Sequence, residues 1–361
     1  MPIDWIHQAC PKPDETSRSA AIIRQASLTK PAGSLGRLEN IATDFAAWQS
    51  LEIPALEQIT IRIFAGDHGV CDQGVSAFPQ AVTAQMVQNF ISGGAAISVL
   101  AKHLNANFKV VNMGTVMPID SHTDSTVYTN AQIAPRTADF SQSPAMTEQE
   151  LEQALSIGRA EVDNCDLFIG GEMGIGNTTA ASAIYAALLK LTAKQTVGPG
   201  TGIDSNTQSH KAAIIDSALA LHKDQLNSPL AVLKHLGGFE VAALVGAYIR
   251  AAQTKTPILI DGFICTSAAL IACKINKGVR DWMLFSHKSA EPAHMIALKT
   301  LNAEPLLDLQ MRLGEGSGAA VAVPLLKNAL ALHGEMATFA AAGVNNKGDT
   351  SDKGDRIDKS D

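Results

Sequence analysis

Apolar residues recur along this chain with two different periods. Between residues 16 and 52 they fall at three- and four-residue steps, and Leu35, Leu38, Ile41, Phe45 and Trp48 form one stripe of a helix. Lys30-Pro31-Ala32-Gly33 interrupts that pattern, so two helical pieces are predicted there. Beyond them a different unit repeats: a short β-rich run, a Gly-rich or polar loop, then an Ala-rich helix. ITIRIF (59–64) leads into AGDHG, KVVN (109–112) into MGT and DLFIG (166–170) into GEMGIGNTT. PILID (257–261) leads into GF, and DWMLF (281–285) into SHKSAE. Strands alternating with helices predict βαβ units, an α/β fold built on a parallel sheet. Ligands of such sheets bind beyond the carboxyl ends of the strands, which is where the chemically unusual residues lie. After residue 320 an Ala/Leu-rich helix is predicted to run to about Gly343, and residues 345–361, nearly devoid of apolar side chains, read as a disordered tail.

Composition narrows the function classes. The 361 residues suffice for two domains, or for one large α/β domain with an accessory layer. Net charge is −7 and no Lys/Arg run interleaves with aromatics, so nucleic acid is not an expected partner. Cys10, Cys71, Cys165, Cys265 and Cys273 are odd in number and contain no CxxC pair, which predicts buried free thiols in a reducing cytoplasm. The first residues lack the basic-then-apolar order of a signal peptide, and no window holds the roughly 18 apolar residues of a membrane span. A cytoplasmic protein with no membrane partner is expected.

The loops carry the candidate chemistry. In GGEMGIGNTTAASA (170–183), Gly174 and Gly176 allow close backbone approach, and Asn177 or Thr178 is expected to cap the next helix, making an anion site suited to phosphate. It is not a Walker A loop, since no Gly-Lys-Ser/Thr closes it, and not a G-x-G-x-x-G, because Thr179 stands at the last position. VGPGTGIDSNTQSHKAAII (197–215) is a second Gly-rich turn, with Lys211 about two turns into its helix as a phosphate ligand or a surface lysine. Asp67 and His68 end a strand without further ligands at metal-like spacing, so Asp67 is expected to cap the turn and no metal is expected. Phe78 and Met86 read either as a ligand wall or as core. Glu315, between Gly314 and Gly316 and ahead of an Ala-rich helix, has two equal readings: a poorly solvated general base, or an acid favoured by the helix dipole.

Taken together, KPAGSLGRLE (30–39), GDHGV (66–70), GVSAFPQAVTAQM (74–86), GEMGIGNTTAASA (171–183), VGPGTGID (197–204), GGFEVAAL (237–244), LIDGFICTSAAL (259–270), SHKSAE (286–291) and RLGEGSGAAVAVPLL (312–326) resemble the nicotinate-nucleotide–dimethylbenzimidazole phosphoribosyltransferases of cobamide assembly. The resemblance spans nearly the whole chain, with Ala32 where a second Pro is frequent and Ala293 where Gly is usual. It implies a homodimer whose subunits have a Rossmann-like large domain (56–319) and a small helical domain from both chain ends (1–55 and 320–344). It implies transfer of the phosphoribosyl group of nicotinate mononucleotide to a benzimidazole, with Glu315 as general base and no cofactor. Glu172 would hold the ribose or act as a secondary acid/base. Gly174, Gly176, Asn177, Thr178, Lys211 and Ser289 would bind the phosphoribosyl group, and Phe78, Met86, Met173 and Leu313 the base. An enzyme using phosphoribosyl pyrophosphate would show two adjacent acids after an apolar strand, but Asp261 is followed by Gly262. A non-catalytic nucleotide-binding module could keep the Gly loops yet lose Glu315, which is present.

Overall fold

The computed structural model describes residues 3–119, 126–198 and 204–345. Among them six strands form one sheet: β1 (Ile59–Gly66), β2 (Asn107–Gly114), β3 (Tyr128–Asn130), β4 (Leu167–Met173), β5 (Ile258–Ile260) and β6 (Met283–Phe285). They pair in parallel in the order β3-β2-β1-β4-β5-β6. The helices are α1 (Glu15–Ser27), α2 (Arg37–Gln49), α3 (Ala81–Ile91), α4 (Ala96–Leu104), α5 (Glu148–Ala160), α6 (Asn177–Leu189) and α7 (Ala193–Thr196). After them come α8 (Ser205–Leu221), α9 (Pro229–Leu236), α10 (Phe239–Gln253), α11 (Phe263–Ile275), α12 (Pro292–Thr300), α13 (Ser317–Glu335) and α14 (Phe339–Ala342). No helix among the described residues is long and apolar enough to cross a membrane.

This is the expected α/β architecture, in the strand order of a Rossmann sheet. Every residue of β1 is buried, as a strand covered on both faces requires. Its one cation, Arg62, ends on Glu161, Asp163 and the Asn107 carbonyl, so its charge is paired. α5 and α10 make the most extensive helix–helix contact. Two glycines permit it: a Cβ on Gly158 would overlap the Ala243 carbonyl oxygen, and one on Gly246 the Leu155 carbonyl oxygen.

The chain divides into two units, residues up to Pro13 with Leu56–Pro324, and Asp14–Ala55 with the residues from Leu325 onward. Residues 3–13, expected in the small helical domain, thus pack with the sheet unit: Gln253 donates to the Trp5 carbonyl at 2.7 Å and Asn276 to that of Gln8 at 2.8 Å. In the helical unit Ile41, Phe45 and Trp48 are buried on α2 as the stripe predicts, while Leu35 precedes the helix. The terminal helix stops at Glu335 rather than near Gly343. Ala337 and Thr338 instead pair with Thr29 and Leu28, and Thr338 caps the separate α14. DWMLF also differs, because Asp281 and Trp282 belong to a 3-10 turn (Lys277–Trp282) and only the last three residues are strand. The tail reading for 345–361 falls, from residue 346 on, outside the described residues, as do residues 199–203 of the second Gly-rich turn.

Candidate active site

The strand order reverses between β1 and β4, and a parallel sheet opens a crevice at such a point. A cavity of about 230 Å³ lies there, lined by the ends of β4, β5 and β6, by residues 76–86 and by residues 312–315. The structure brings eleven of the expected site residues onto its wall: Phe78, Met86, Glu172, Met173, Gly174, Gly176, Asn177, Thr178, Ser289, Leu313 and Glu315. Lys211 is not on the wall but stands behind it, with Nζ donating to the Thr178 hydroxyl at 2.7 Å.

Glu315 occupies a left-handed turn. Gly314, Glu315 and Gly316 have φ of +87°, +63° and +74°, a conformation costly for the glutamate alone among the three. The turn lies directly on β4, where a Cβ on Gly171 would meet Glu315 C and Gly316 N at 2.8 Å. Asp261, at the end of β5, holds it from the other side by accepting the Gly316 N–H at 3.2 Å and the Ala319 N–H at 2.8 Å. Burial, then the Asp261 charge, push the Glu315 carboxyl up to about 7. The dipole of α13 would pull the other way. Glu172 is buried and held well above the usual carboxylate range, first by burial and then by Asp261 and Glu240. Its Oε2 accepts from the Asn177 side chain, and its Oε1 from the Glu315 N–H at 3.4 Å.

The cap of α6 differs from expectation. Gly176, with φ of +99°, is the N-cap, and neither Asn177 nor Thr178 caps by its side chain. A left-handed cap needs the glycine, which frees Asn177 to orient Glu172 and Thr178 to receive Lys211. Burial lowers the Lys211 ammonium to about 8 although Glu291 opposes the shift. Ser289 is held by neutral His294, whose Nδ1 accepts the Ser289 N–H at 3.0 Å and whose Nε2 faces the Thr266 hydroxyl at 3.0 Å. Asp67 does not cap its own turn: it accepts from Val116 N–H at 2.9 Å and from the Thr83 hydroxyl at 2.6 Å. Its neighbour His68 pairs with Glu240 at 2.8 Å, both fully buried behind the Gly174 turn.

Residues 10–344 match the model of a family described as a phosphoribosyltransferase. The nicotinate-nucleotide–dimethylbenzimidazole phosphoribosyltransferase of Xanthomonas oryzae pv. oryzae (strain PXO99A) is 55% identical over 349 residues, 95% of this chain and 99% of the relative. The chain belongs to this family. The protein of that name from Pseudomonas putida (strain F1) is 53% identical, covering 94% of this chain and 97% of its own length. Among solved structures, CobT from Thermus thermophilus superposes with a TM-score of 0.86 at 41% identity, over 92% of this chain and 99% of that one.

Within this phosphoribosyltransferase framework, sequence reasoning missed several members of the site. Asp261 served only to argue against a pyrophosphate donor, although an acid at the end of an apolar strand is itself a signal for the crevice. His287, Glu291, Ser76, Val82 and Arg312 also line the cavity. His287 and Glu291 stood inside a quoted motif, where their place just after β6 was the available clue. The His68–Glu240 pair left no local signal, since 172 residues separate its members.

Proposed function

We propose that this protein transfers the 5-phosphoribosyl group of nicotinate mononucleotide to 5,6-dimethylbenzimidazole. The products are α-ribazole 5′-phosphate and nicotinate, the nucleotide step of cobamide lower-ligand synthesis. The observation that carries the reading is Glu315, a buried carboxyl near pKa 7 at the rim of a cavity with an apolar wall on one side and the N-terminus of α6 on the other.

The chemistry follows from that layout. The donor's C1′–N bond breaks and its electron pair returns to the pyridinium nitrogen, which becomes neutral, so nicotinate departs without needing an acid. A lone pair on one benzimidazole nitrogen forms the new bond to C1′ from the opposite face, which inverts that carbon. The other nitrogen surrenders its proton to Glu315, a step worth about 10²- to 10⁴-fold in rate. Phe78, Met86, Met173 and Leu313 hold the base; the phosphate sits at Gly174 and Gly176, with Thr178, Lys211 and Ser289 around it. Asn177 serves by orienting Glu172, which faces the ribose. The protein is read as a cytoplasmic homodimer, the assembly that the resemblance of its motifs implies.

Mass spectrometry of reactions containing nicotinate mononucleotide and a panel of bases tests the reading. An α-linked base nucleotide formed without added magnesium is the expected product. Turnover that instead demands phosphoribosyl pyrophosphate and magnesium would overturn it.

A further inference from the structure

The turn that would seat the donor phosphate is held by hydrogen bonds of fixed direction. Asp67 has one oxygen on the Val116 N–H at 2.9 Å and the other on the Thr83 hydroxyl at 2.6 Å. A carboxylate only accepts, so Thr83 Oγ1 donates to Asp67 and presents its lone pair elsewhere. That lone pair accepts the Ile175 N–H at 3.1 Å. On the other side of the same residue, the Cys71 thiol donates to the Ile175 carbonyl at 3.0 Å. Both polar groups of Ile175 are therefore turned back onto the scaffold.

The consequence lies in the flanking peptides. In a trans peptide the N–H points opposite to the preceding C=O. With the Ile175 carbonyl aimed at Cys71, the Gly176 N–H points away from Cys71, and Gly176 lines the cavity at the start of α6. Thr83 sits on α3, whose Val82 and Met86 line the same cavity. One helix thus supplies part of the apolar wall and the tether of the turn.

We propose that Thr83 is a positioning residue that, together with the Cys71 thiol, fixes the peptide planes on either side of Ile175 and so aims the Gly176 amide at the donor's phosphate. This rests on the phosphate seat proposed above. Burial keeps Cys71 a thiol, pushed up to about 12, so it remains a donor at working pH.

The test compares Thr83→Val, which keeps the shape and removes the hydroxyl, with Thr83→Ser, which keeps the hydroxyl. Donor KM, acceptor KM and the inhibition constant of inorganic phosphate are measured for each. Losing one oriented hydrogen bond should raise donor KM and the phosphate constant together, by about ten-fold, with acceptor KM moving far less. Thr83→Ser should restore both to within about two-fold. If Thr83→Val does not fold, Cys71→Ala reads the carbonyl side of the same peptide and should shift the same two constants. Unchanged donor and phosphate constants in the folded variant overturn the role of Thr83, as do equal rises for donor and acceptor. Lys211→Ala separates the two levels of the argument. If it moves the donor constant while Thr83→Val does not, only the positioning role falls; if neither moves it, the phosphate seat itself is misplaced.

Discussion

Glu315 combines a left-handed backbone, a buried carboxyl and a carboxylate neighbour, each of which works against folding. Its folded pKa of about 7 lies above the ordinary 4.5, so the fold favours the protonated form. Stability from this group is complete below about pH 4.5 and is lost as pH rises through 7. Glu315→Gln should therefore melt at a higher temperature than wild type above pH 7, with the gap closing toward pH 4.5, as calorimetry across that range would show. The same variant should lose about 10²- to 10⁴-fold in kcat, measurable in single-turnover assays. Lys211 sets the opposite limb, since its lowered pKa of about 8 means the cation is lost above that pH. The donor's kcat/KM should rise through about 7 and fall through about 8, and Lys211→Arg, charged throughout, should move the alkaline limb upward.

Among the elements, α5 and α10 touch backbone to backbone through Gly158 and Gly246. Gly158→Ala should cost about 1–3 kcal/mol in urea unfolding through overpacking, whatever helix propensity it gains. The long apolar runs were legible because burial on both faces leaves a local trace: β1 and β4 lie over ITIRIF and DLFIG, although β1 runs on to Gly66 and β4 to Met173, so that Glu172 and Met173 belong to the strand and not to the loop expected after Gly170. β3 was not legible, because Tyr128-Thr129-Asn130 has no apolar run and becomes a strand only by pairing with β2. The end of the terminal helix was equally hidden, since a partner at Leu28, far away in sequence, unwinds it. The same division holds for the site. Glu315 could be found because glycines flank it and Glu172 came only with the family resemblance, whereas the amide grip of Asp261 on α13 and the His68–Glu240 pair exist only after folding.

At the scale of the whole molecule, the cavity opens near the β1/β4 reversal, and on the function proposed above the residues around it would select the base. Phe78 and Leu313 are about half exposed at the cavity, and Met86 and Met173 add adaptable thioethers. Replacing Phe78 or Met173 by alanine should reorder product ratios among dimethylbenzimidazole, benzimidazole and adenine, with donor KM nearly unchanged. Competition assays that return wild-type ratios would make both residues plain packing. The left-handed turn at residues 314–316 has one more consequence, for the history and engineering of this chain. Glu315→Gly would relieve the backbone and remove the buried acid at once, so a population selected for heat resistance alone should discard the glutamate early. If Glu315 is the proposed base, durability and turnover pull in opposite directions at this one position, and heat-stable variants should be sought with that codon held fixed.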